Sequence, residues 1–132
     1  MTRVEGTVSA MAGQRPLYEV KANLFKGLSH PVRVRILELL SAAAANEDAA
    51  QRWVGVSVLL ADTGLEASHL SQHLAVLRLH HLVHAERRAS QVFYALTYPE
   101  VADLLAVSRT LLRLILQTTQ DQLESTLAES DQ

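Results

Sequence analysis

The amino-acid sequence predicts a mainly α fold with one small β-hairpin, and three observations lead there. Apolar residues recur at helical spacing along most of the chain. Ala67–His81 reads as a short amphipathic helix with small polar residues near its start, and two brief strand candidates, Val83–Glu86 and Val92–Leu96, follow it directly. Those strands are split by the basic run Arg87-Arg88-Ala89-Ser90-Gln91. A helix of this kind followed by a basic hairpin is what a winged helix-turn-helix uses to enter a DNA major groove and hold the flanking backbone.

Each element can be justified in order. Residues 1–16 mix Gly, Ser, Thr and charge without periodicity and read as a flexible arm. Leu17–Leu28 carries Leu17, Val20, Leu24, Phe25 and Leu28 on a helical stripe. Pro31 suits the first turn of a second helix, where its missing N–H costs nothing, with Ser29 or His30 as the cap. Val32, Ile36, Leu39 and Leu40 are its expected buried face. Ser41–Gly55 is ambiguous: its alanines favour helix and Asn46-Glu47-Asp48 breaks it, so a helix extension followed by a loop is expected. Ser57–Thr63 reads as a short helix capped by Ser57 and closed by Gly64, whose tolerance of positive φ suits a sharp turn.

In Ala67–His81, Leu70, Leu74 and Leu77 define the inward face, leaving Ser68, Gln72, Ala75 and Leu79 opposite, flanked by His69 and Ser71. The last helix opens with Thr97 as cap, Pro99 in the first turn and Glu100 completing a capping box. Its pattern runs to about Leu127, roughly 45 Å at 1.5 Å per residue. Apolar residues from Val101 to Leu116 wrap too far round this helix for one stripe, so one side should meet the domain and another a second subunit. A homodimer joined through the first and last helices is therefore expected. Residues 17–127 form the DNA-binding and dimerisation domain in this reading, and 128–132 an acidic tail.

Composition limits the alternatives. A chain of 132 residues fits one domain and leaves no room for a separate catalytic one. No apolar run reaches membrane-span length and Met1–Pro16 lacks the centre of a secretory signal, so a cytoplasmic protein without membrane attachment is expected. Cysteine is absent, which removes disulfides, thiolate metal sites and cysteine nucleophiles. The net charge is −2, but Asp121, Glu124, Glu129 and Asp131 crowd the last 16 residues and leave the rest weakly basic. Arginine supplies most of the positive charge, the better choice for planar phosphate and guanine contacts. No nucleophile–base pair, glycine-rich phosphate loop or carboxylate constellation points to an enzyme.

The candidate DNA-binding residues are Ser68, His69, Ser71, Gln72 and His73 on the helix, and Arg87, Arg88 and Gln91 on the hairpin. The Gln72 amide can pair bidentately with adenine, and Ser68 and Ser71 can donate to phosphate or base. Arg87 and Arg88 suit phosphate or minor-groove contacts. His69 and His73, one turn apart, could chelate a metal with a third ligand; alternatively His73 packs beside the core and His69 meets DNA or water. The crowd of histidines in this half could also strengthen phosphate binding as pH falls. Trp53 and Tyr98 are either core anchors or the lining of an effector pocket.

The Leu28–Leu37 segment "LSHPVRVRIL", the helix "SHLSQHLAVLRLHHLV" and the wing ending Val92-Phe93-Tyr94-Ala95-Leu96 resemble the ArsR/SmtB family of bacterial winged-helix repressors, over roughly Tyr18–Leu116. The resemblance implies a homodimer that docks two recognition helices on double-stranded DNA and releases it when an inducer binds. It also implies that Ser68, Ser71 and Gln72 meet DNA. The chain departs from the family in four places. The family's Cys-x-Cys sensor is replaced by Val56-Ser57-Val58-Leu59-Leu60-Ala61-Asp62. At the second metal site, on the last helix, the matching residues are Asp103, Leu105, Leu116 and Thr119, one potential ligand of four. Ser41–Gly55 is longer than the usual connection. Ala89 stands where glycine is common, which argues against a tight positive-φ turn.

No cofactor is therefore predicted, although a divalent metal held by non-cysteine ligands stays open. The expected partner is an inverted-repeat operator. The inducing signal could be a metal, a small molecule or a sensor protein. The rival reading is a protein-interaction module whose last helix serves dimerisation or docking alone.

Overall fold

The computed structural model of the chain describes residues 15–130. The expected arm lies outside them apart from Arg15 and Pro16, as does the end of the expected tail. Helix α1 spans Leu17–Leu28 and α2 Pro31–Ala44. Of the two cap candidates His30 is the one used: its Nδ1 accepts from the Val32 amide at 3.1 Å, with Pro31 in the first turn. Arg33 then reaches back to the end of α1, its Nε donating to the Gly27 carbonyl at 2.7 Å. A guanidinium there satisfies carbonyls that a helix end leaves without partners.

Ser41–Gly55 resolves into more than a loop. After α2 comes a 3₁₀ turn, Ala49–Arg52, in which the Asp48 carboxylate accepts from the Ala50 amide. A two-residue strand β1, Val54–Gly55, follows. Helix α3 spans Val56–Thr63, and its N-cap is Gly55 without a side-chain bond, so Ser57 is not the cap expected from sequence. Gly64 closes it with φ 68° and its amide donates to the Leu60 carbonyl at 2.9 Å. Nothing lies within 4 Å of where a Cβ would sit on Gly64, so the demand for glycine is one of backbone angle.

Helix α4 covers Ala67–Leu79, two residues short of the expected end, because His81 turns to φ 60°. Strands β2, Val83–Arg88, and β3, Gln91–Leu96, make a longer hairpin than expected, with only Ala89 and Ser90 between them. The sheet order is β1-β3-β2, all antiparallel, with Val54 opposite Tyr94 and Arg88 opposite Gln91. Ala89 adopts φ 54°, which corrects the expectation drawn from its side chain. A two-residue hairpin needs positive φ, and strand pairing on both sides outweighs the roughly 1–2 kcal/mol that a Cβ costs there.

Helix α5 runs Glu100–Ser130 and so continues into the expected acidic tail. The capping box does not form. The Thr97 hydroxyl lies 3.4 Å from His84 Nδ1, and the carbonyls of Tyr98 and Pro99 receive the first amides of α5. The core gathers Ile36, Leu37 and Leu40 of α2, Leu59 of α3, Leu70, Leu74 and Leu77 of α4, Leu82, Val83 and Tyr94 around the hairpin, and Val101 of α5. Val32 and Leu39 are only partly buried, while Leu37, which the periodicity passed over, is fully enclosed. No helix among the described residues is long and apolar enough to cross a membrane.

Candidate nucleic-acid interface

Three leucines hold α4 against the core, each a side chain whose full burial contributes about 1.5–3 kcal/mol. Their spacing fixes the rotation of the helix and leaves Ser68, His69, Ser71 and Gln72 exposed. The preceding helix is pinned by a forked ion pair, in which Arg35 of α2 donates to both carboxylate oxygens of Asp62 at 2.9 Å. Those bonds hold the Asp62 carboxyl below its ordinary range. Helix α3, the Gly64 turn and α4 thus form a helix-turn-helix set rigidly on α2.

His73 is placed apart from that exposed face. Its ring packs on His30 with centroids 4.3 Å apart, and Arg33 Nη1 lies 3.4 Å from its Nδ1. Partial burial, then the nearby charges of His30, Arg33 and His69, lower its pKa. A neutral ring with Nδ1 unprotonated is the tautomer that can accept from the guanidinium. The His80 ring fills the space beside Gly27, where a Cβ would come within 2.6 Å of it. Among the described residues no three His, Cys, Asp or Glu side chains are grouped to hold a metal, so His69 and His73 lack a third ligand.

Strand alternation separates the two wing arginines. Arg87 shares the sheet face of Val83 and Ala85 and, among the described residues, has neither hydrogen bond nor ion pair. Arg88 projects from the other face, over the rings of Trp53 at 5.6 Å and Phe93 at 5.1 Å, with its Nη2 3.1 Å from Glu86. Trp53 in turn meets His84 edge to face at 4.9 Å. It therefore anchors the outer face of the sheet, whereas Tyr98 is more than half exposed. Gln91 is exposed at the wing tip, opposite Arg88.

Between the start of α3, the outer edge of α4 and the wing lies a cleft of about 400 Å³ lined by Ser57, Ser71, Ser90, Gln91 and Tyr94 over an apolar floor. Sequence reading singled out Ser71 and Gln91 but missed Ser57 and Tyr94. Only the hairpin register, which sets Tyr94 opposite both Val54 and Ala85, brings that ring under α4.

No family model matches the chain. It is, however, 46% identical over 101 residues to the uncharacterized HTH-type transcriptional regulator Rv0081 of Mycobacterium tuberculosis, covering 76% of this chain and 82% of that protein. The crystal structure of Rv0081 superposes with a TM-score of 0.68 over 80% of this chain and 97% of the other. The homodimeric winged helix-turn-helix domain of Mb0332 from Mycobacterium bovis, described as a possible ArsR-family regulator, gives 0.63 at 25% identity over 77% and 86%. The chain belongs to the ArsR/SmtB family of winged helix-turn-helix transcriptional regulators. The biofilm growth-associated repressor of Xylella fastidiosa is 36% identical over 84 residues, 64% of this chain and 66% of that one.

The metal sites of the ArsR/SmtB family do not fit this chain. At the last-helix site Leu105 packs against the core, Leu116 offers no ligand, and the Thr119 hydroxyl donates to the Ile115 carbonyl, leaving one carboxylate, Asp103. At the α3 site valine, leucine and serine replace thiolates.

Proposed function

We propose that two copies of this chain form a repressor that binds an inverted-repeat operator, with α4 of each copy in successive major grooves. The observation that carries this is the division of α4 into a buried leucine face and an exposed face of Ser68, His69, Ser71 and Gln72, set by α3 on one side and the wing on the other. Gln72 reads a base, Ser68 and Ser71 donate to phosphate or base, and Arg87 and Gln91 hold the backbone beside the groove. Exposed apolar side chains on α1 and α5, including Leu17, Phe25, Leu112 and Ile115, supply the surface for the second copy. Two-fold symmetry then asks for half-sites about one helical turn of DNA apart.

Selection of duplexes from a random pool, followed by gel-shift competition against mixed-sequence DNA, tests the reading. An enriched inverted repeat supports it, and Gln72→Ala should then cost roughly 1–3 kcal/mol of preference at one position of each half-site. Failure to retain any duplex would return the protein to the rival role of a protein-interaction module. The Arg87 contact belongs to this reading more than Arg88 does, because the latter is already engaged by two rings and Glu86. The chain is read as a regulator without enzymatic activity, and its inducing signal as something other than the family's thiolate-bound metals.

A further inference from the structure

We propose that the cleft between α3, α4 and the wing seats one phosphate of the DNA backbone, with the Tyr94 hydroxyl as its deepest donor. The proposal rests on the DNA-binding reading above and adds residues that reading does not use. Tyr94 is only 8% exposed, and its hydroxyl makes no hydrogen bond to any described residue. That oxygen is not sealed in, since Ser41 Oγ is the one fully enclosed side-chain polar atom without a partner among the described residues. A tyrosine held this deep in the lining of a cleft, with a hydroxyl neither partnered nor sealed, is a donor waiting for an acceptor from outside.

The rest of the lining has the same character. Ser57 stands in the first turn of α3, whose cap Gly55 has no side chain to receive the amides of that turn. Those unpaired N–H groups and the positive end of the helix dipole favour an anionic oxygen. Ser71 and Ser90 add hydroxyls at the rim, and no carboxylate lines the cleft to repel an anion. Ser71 also belongs to the exposed face of α4, so the cleft borders the surface proposed to read bases.

No lysine, arginine or histidine lines the cleft either, which decides the source of the phosphate. Neutral donors hold a freely diffusing phosphate weakly in water. A phosphate already positioned by α4 and the wing arrives at a high effective concentration and needs no further charge.

The test uses the duplex that the wild-type protein selects from a random pool, a mixed-sequence duplex, and the variants Tyr94→Phe and Ser57→Ala. Tyr94→Phe keeps the ring in the core, and an unchanged melting temperature shows that the fold survives; Ser57 is exposed, which makes Ser57→Ala an independent probe. Each variant should bind both duplexes more weakly by the same factor, about 10-fold for Tyr94→Phe. The slope of affinity against salt should not change, because a neutral hydroxyl displaces no counterion. Replacing backbone phosphates one at a time by methylphosphonate should reveal one position per half-site where the wild type loses affinity and Tyr94→Phe loses no more.

Equal affinity of Tyr94→Phe and wild type, a loss confined to the selected sequence, or additive losses at every phosphate would each overturn the assignment. So would competition by inorganic phosphate beyond that of chloride at matched ionic strength, which would make the ligand a free anion. Wild-type protein that enriches no duplex from the pool and does not bind the mixed-sequence duplex would instead refute the DNA-binding reading itself.

Discussion

Helices α4 and α5 solve opposite problems with the same residue types. In α4 three leucines are buried within the chain, and the outward residues of its first half, Ser68, His69, Ser71 and Gln72, are polar. Among the described side chains of α5 only Val101 is buried, while Val107, Leu111, Leu112, Leu114, Ile115, Leu116, Leu123 and Leu127 are each more than half exposed. The first helix is complete in a single chain. The second carries apolar surface that nothing among the described residues covers, and the difference separates what the described fold stabilises by itself from what a second copy is proposed to cover.

The sharpest way to break the comparison is to truncate one leucine in each helix. Leu77→Ala should lower stability in a denaturant melt by about 2–5 kcal/mol, whereas Leu116→Ala should stay within about 0.5 kcal/mol under conditions that keep the protein monomeric. Equal losses would mean that α5 is packed more tightly than its exposure implies. Next in size, Leu112→Asp combined with Ile115→Asp should halve the mass found by sedimentation and weaken operator binding about 100-fold, because one half-site would then be bound alone.

Smaller effects refine the α4 side. Arg87→Ala should reduce the slope of log affinity against log salt by about 0.9 while weakening every sequence similarly. Arg88→Ala should leave that slope nearly unchanged, since its guanidinium lies over Trp53 and Phe93 and pairs with Glu86. The smallest effect concerns His73, whose lowered pKa comes chiefly from burial. Below the ordinary histidine range the unfolded chain takes up the proton first, so this group contributes stability above that range and loses it as pH falls. His73→Gln should flatten the acid side of a melting temperature versus pH curve; an unchanged curve would assign the acid sensitivity elsewhere.

What could be read in advance follows the range of the forces involved. The leucine spacing of α4, the Pro31 start of α2 and the Gly64 turn are local signals, and the structure has all three where the residues put them. Strand β1 was not legible, because two residues have no period and exist as a strand only by pairing with Tyr94 and Phe93. The positive φ of Ala89 ran against its side chain, for hairpin closure is decided by both strands together. The stacking of Arg88 and the depth of Tyr94 depend on that same register, which shifts every side chain to the other face if it slips by one residue. On the exposed face of α4 the helical wheel alone sufficed for Ser68, His69, Ser71 and Gln72. His73 sits near the boundary of that face, and its partners come from α2, forty residues earlier.

If a second copy covers the exposed length of α5, abundance itself becomes a control variable. If operator binding needs the paired form, occupancy at low levels climbs with the square of the monomer concentration, so modest changes in synthesis or turnover would switch a promoter more abruptly than one-to-one binding allows.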